Sequence, residues 1–78
     1  MFGNVGIGVK YPAESLEVSG NIKFAERTFT SGEQAPVQGR WDTGSVVWNE
    51  KPAVNMPVGW VCTNGGKPGN WRPFGFIR

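Results

Sequence analysis

The stretch from Val58 to Ile77, V-G-W-V-C-T-N-G-G-K-P-G-N-W-R-P-F-G-F-I, decides the class of fold. Two runs of β-branched and aromatic residues, 58–63 and 71–77, flank a cluster of turn formers, which is the pattern of a β-hairpin. Asn64-Gly65-Gly66 and Pro68-Gly69 supply the residues with positive φ that tight turns require. Pro73 has no N–H to give a ladder, so 71–77 is expected at the edge of a sheet. Just upstream, Ser45–Asn49 (S-V-V-W-N) reads as a strand stopped by Glu50-Lys51-Pro52 and packed with the hairpin. Trp48, Val61, Phe74 and Ile77 are the expected core of this unit.

The first third carries two period-2 segments. Val5, Ile7, Val9 and Tyr11 point one way while Gly6, Gly8 and Lys10 point the other. Leu16, Val18, Gly20, Ile22 and Phe24 alternate with Glu17, Ser19, Asn21 and Lys23. Strict alternation marks half-buried strands, and neither segment shows helical spacing. Y-P-A-E-S between them is the expected turn, with Pro12 forcing Tyr11 to be extended. Residues 25–44 are looser and more polar, and read as a connector with one short strand around Arg27–Thr30.

Composition narrows the function classes. There is no histidine, which removes the Ser-His-Asp triad, the Cys-His pair and any histidine-ligated metal. Cys62 is the single cysteine, so no internal disulfide can form and a zinc site lacks soft ligands. Its apolar neighbours make Cys62 a small buried hydrophobe. The formal net charge of +2 is too weak to imply nucleic acid. No apolar run reaches the length of a transmembrane helix, and the first residues lack the pattern of a signal peptide. No cofactor or metal is expected, nor membrane insertion. Four Trp and five Phe argue for a folded chain, and twelve Gly with six Pro for a turn-rich one. A chain of 78 residues buries only about 60% of the surface its unfolded form exposes, and that gain roughly offsets the entropy of ordering it. Association with other chains is the expected remedy.

Two stretches carry a family resemblance. Residues 3–22, G-N-V-G-I-G-V-K-Y-P-A-E-S-L-E-V-S-G-N-I, resemble a segment of the trimeric shafts of phage tail fibres and tail spikes. The matching positions are Gly6, Ile7, Gly8, Pro12, Leu16, Val18, Gly20, Asn21 and Ile22. G-S-V-V-W-N-E-K-P (44–52) and G-W-V-C-T-N-G-G-K-P-G-N-W-R-P-F-G (59–75) are similar to the C-terminal segment of phage tail-spike and pectate-lyase-like proteins. There the matches are Gly44, Val47, Trp48, Asn49, Pro52, Gly59, Trp60, Val61, Cys62, Pro68, Gly69, Trp71, Phe74 and Gly75. Residues 23–43 are unmatched. In that family the first pattern often leads into a self-cleaving chaperone domain, which nothing here resembles.

The resemblance implies an all-β homotrimer with a trimerising N-terminal β-stalk (1–24), a connector (25–44) and a small C-terminal antiparallel β-sandwich or barrel head (45–78). The function implied is that of a tail-spike or tail-fibre C-terminal module, which trimerises and stabilises the spike tip. Its place would be the virion, after synthesis in the bacterial host cytoplasm, as part of a longer tail-spike chain or as a terminal module. Val5, Ile7, Val9, Tyr11, Leu16, Val18, Ile22 and Phe24 are the expected trimer interface, with Gly6 and Gly8 letting three chains approach at an axis.

Host-surface polysaccharide is the second expected partner. A pyranose ring stacks on Trp, while neighbouring Asp, Asn or Arg bind its hydroxyls. Trp41 with Arg40 and Asp42, and Trp71 with Asn70 and Arg72, supply that combination. Packing is the first reading of each Trp, because a small β module uses Trp in packing more often than for a ligand. Polysaccharide hydrolysis ranks third: Asp42 and Glu50 are the only carboxylates from which an intersubunit pair suggests itself, and no catalytic residue is assigned.

Overall fold

The computed structural model describes residues 3–78; residues 1–2, the start of the expected stalk, lie outside the described residues. The protein is all-β, with no helix among the described residues. β1 (Val5–Ile7) and β2 (Leu16–Val18) form a two-stranded sheet. β3 (Ile22–Phe24), β4 (Arg27–Gly32), β5 (Val46–Asn49), β6 (Pro57–Asn64) and β7 (Asn70–Phe76) form a five-stranded sheet in that order. The hairpin read from the sequence is the antiparallel pair β6–β7, with β5 antiparallel on its other side. β7, which contains Pro73, is an edge strand as expected.

The strands of the expected head, β5 to β7, are antiparallel as read, but they form no sandwich or barrel: they continue into one open five-stranded sheet, which is mixed because β4 runs parallel to β5. Parallel neighbours cannot be joined by a tight two-residue turn and need a crossover connection. Residues 33–45 are that crossover; all but Ser45 fall in the expected connector. They lie over one face of the sheet: Trp41 packs edge-on against Trp71 of β7, and Lys23 of β3 reaches Asp42 at 3.9 Å. On that face Val47 and Cys62 are the buried hydrophobic residues, 3% and 1% exposed. Cys62 is thus the small buried hydrophobe its neighbours implied.

Ser45 is fully buried and satisfied there. Its Oγ accepts from Thr28 N at 3.0 Å and its carbonyl from Cys62 N at 2.9 Å, so one residue ties β4, the start of β5 and β6 together. The expected core is corrected by this arrangement. Trp48 is 47% exposed, and Val61, Phe74 and Ile77 are only half-buried. Along β5 the inward residue is Val47, one position from the Trp expected, and a one-residue change of phase moves a side chain to the opposite face.

Both N-terminal period-2 segments break. β1 ends at Ile7 because Gly8 takes φ +75°, so Val9 and Tyr11 do not continue the strand. The second segment divides at 19–21 into β2 and β3, which join different sheets. β1 and β2 run parallel, with Val5 opposite Leu16 and Ile7 opposite Val18, so 8–15 is a crossover loop and not a hairpin turn. Gly6 and Gly8 are required within the chain. A Cβ on Gly6 would lie 2.6 Å from the Val9 carbonyl, and one on Gly8 would collide with the Ser19 hydroxyl. These contacts, within one chain, are a reason for both glycines that the approach of three chains does not require.

The chain is expanded for its mass. Its accessible surface is 5813 Å², whereas a compact monomer of 8.5 kDa has about 4,700 Å². Its radius of gyration is 14.3 Å, against about 11.5 Å for a compact domain of this length.

The β3–β4 hairpin has a two-residue turn that the sequence did not signal. Phe24 pairs with Arg27, and Ala25 and Glu26 between them have φ of 49° and 68°. Positive φ at both positions is the type I′ turn, whose preferred residues are Asn-Gly. Residues with a Cβ are strained there by roughly 1–2 kcal/mol each. The double variant Ala25→Asn/Glu26→Gly is therefore expected to gain about 1–2 kcal/mol. Urea unfolding at fixed protein concentration should show a higher midpoint with an unchanged slope.

Candidate functional site

The main cleft lies where the crossover meets the β6–β7 turn. Trp41 N donates to Gly66 O at 2.9 Å and Gly66 N donates back to Trp41 O at 3.0 Å, an isolated antiparallel bridge between the two segments. Gly65 N donates to Thr43 Oγ1 at 2.9 Å, and Gly44 N to Cys62 O at 2.8 Å. Close approach demands glycine at 65, since a Cβ there would sit 2.8 Å from the Trp41 carbonyl oxygen. The space bounded by these segments is about 470 Å³, lined by Arg40, Trp41, Asp42, Thr43, Asn64, Gly65, Gly66 and Lys67.

Trp41 and Trp71 meet edge-to-face with ring centroids 5.4 Å apart. Each indole N–H is anchored three residues back, Trp41 on the Gln38 carbonyl at 3.0 Å and Trp71 on the Pro68 carbonyl at 2.8 Å. The rings are held by packing and hydrogen bonds together, so their orientation is set before any ligand arrives. Around them stand the cations of Arg40 and Lys67, the carboxylate of Asp42 and the amide of Asn64. The set offers donors and acceptors around an aromatic wall, the chemistry that polyhydroxylated rings require.

The six glycan candidates are distributed unevenly. Arg40, Trp41 and Asp42 line the cleft, and Trp71 buttresses Trp41. Asn70 pairs with Asn64 across β6–β7 without lining the space. Arg72 follows Trp71 on β7 and alternation sends it to the opposite face. Thr43, Asn64, Gly65, Gly66 and Lys67 line the cleft without having been singled out. Their N-G-G signal read as a turn; only the bridge to Trp41 makes that turn a wall. Asp42 and Glu50 flank opposite ends of β5, and Glu50 accepts from Ser31 Oγ at 2.9 Å. No group of three or more His, Cys, Asp or Glu suited to a metal occurs among the described residues.

The expected interface residues are mostly open to solvent: Val5, Ile7, Tyr11, Leu16, Ile22 and Phe24 are exposed, while Val9 and Val18 are half-buried. Comparisons with protein-family models, curated proteins and solved structures find no match for the chain.

The two indoles are expected to act as one packing unit. A double-mutant cycle on Trp41→Ala and Trp71→Ala, read by urea unfolding, should give a coupling of about 0.5–1.5 kcal/mol.

Proposed function

We propose that this protein is a self-assembling module of a phage tail spike or tail fibre, which trimerises and stabilises the spike tip. The observation that carries the self-assembly is the surface of 5813 Å², about 1,100 Å² beyond that of a compact monomer. A standard interface removes about 800 Å² from each partner, so the excess is of the size that association covers. The assignment to a phage tail rests on the sequence resemblance of residues 3–22 and 44–75. Assembly is the mechanism: identical chains cover one another's apolar surface and hold the tip in register. In this reading the module is not an enzyme: its role is assembly, and within one chain Asp42 and Glu50 lie at opposite ends of β5. Absolute mass by light scattering on a sizing column is expected to equal three chains; a mass of one chain at all concentrations would refute self-assembly.

The cleft beside Trp41 favours a second role, contact with host-surface polysaccharide. Arg40, Asp42, Asn64 and Lys67 would bind hydroxyls around the indole edge. Arg40→Ala and Asn64→Ala, both at exposed positions, should leave the fold unchanged and weaken binding to a host polysaccharide array at least about tenfold. Undiminished binding by both variants would remove the cleft from that role.

A further inference from the structure

The five-stranded sheet has a second face, which the crossover does not cover. Ile22, Phe29, Val46 and Val61 form one register row across four adjacent strands. Two residues along, and therefore on the same face, Trp48 and Phe74 stand on either side of Gly59. Their rings meet edge-on at 5.8 Å across it, so Trp48 and Phe74 share that face. Gly59 permits this approach: a Cβ there would fall 2.6 Å from the Val47 carbonyl and 3.2 Å from the Phe74 ring. Ile22 is 46% exposed and Trp48 47%, and the other four are half-buried. On the covered face Val47 and Cys62 are almost completely enclosed.

We infer that this open face, centred on Trp48 and Ile22, is the surface through which a second copy of this chain docks. The inference rests on the self-assembly reading and locates its contact. It moves the centre of the expected interface from β1 and β2 to the large sheet, keeping Ile22 from the original set. Two observations favour another copy as the occupant. The surplus surface of each chain, about 1,100 Å², matches what one partner contributes to a stable interface. The six side chains are all apolar, so these faces of identical chains suit one another, while Arg72, opposite Val61 at the β7 end of the row, is exposed at the rim of the patch.

The test uses the full chain. Trp48→Arg and Ile22→Glu each place a charge on the face at a half-exposed position. Light scattering is expected to give three chains for the wild type and one for each variant, with the β-sheet circular dichroism and a cooperative urea transition retained. Because a weakened chain can also dissociate for want of a fold, Trp48 is also replaced by the photo-crosslinker p-benzoylphenylalanine, which keeps an aromatic ring. Irradiation of that oligomer should yield covalently linked chains through position 48. Variants that stay trimeric, or an irradiated oligomer with no crosslink, would overturn this face while leaving self-assembly standing. A wild type that remains a single chain would overturn both, and the face would then belong to a different occupant.

Discussion

A sheet has two faces, and this chain supplies cover for one. The segment 33–45 crosses from β4 to β5 over the face where Val47 and Cys62 are buried, and ends in the fully buried Ser45. The rest of the architecture follows from that single layer. The buried hydrophobic core is two side chains, so regular hydrogen bonding across five strands carries much of the order that a larger domain would draw from packing. The opposite face, with Trp48 and Phe74 meeting over Gly59, stays open in the single chain.

Ser45 is the polar counterpart of that thin core. A backbone N–H buried without a partner costs about 1–3 kcal/mol, and Thr28 N is satisfied by the Ser45 hydroxyl. Serine at 45 can therefore close the junction between the parallel strands where an aliphatic residue would leave a donor unmet. The same junction positions Asp42 and Thr43, whose neighbours in the turn 64–67 form the other wall of the cleft. Core and cleft are thus two sides of one set of backbone bridges. The Trp41–Trp71 pair completes it, since Trp71 is the cross-strand partner of Cys62 on β7.

Glycines serve three distinct purposes in this frame. Gly8 takes a positive φ that ends β1, Gly65 lets the turn approach the Trp41 backbone, and Gly59 opens a gap that two aromatics close. The resemblance to phage shafts assigns Gly6 and Gly8 to an intersubunit axis, yet contacts with Val9, Pro12 and Ser19 already account for them within one chain.

Local chemistry alone determined the all-β class, the β6–β7 hairpin, the edge position of β7 and the burial of Cys62, because alternation, turn residues and a proline act over a few neighbouring positions. The short strand at 27–30 was legible for the same reason, though its partners were not. Tertiary structure decided the parallel pairing of β4 with β5, since a crossover's direction depends on which face it can cover. It decided the phase of β5 as well: V-V-W offers large apolar residues to both faces, and only the crossover makes Val47 the inner one and Trp48 the outer. The I′ turn at Ala25-Glu26 was invisible because strand pairing imposes a conformation those residues do not favour alone. Half of the cleft was legible as W-D beside arginine; the other half comes from a turn more than twenty residues away, brought there by two backbone hydrogen bonds between Trp41 and Gly66.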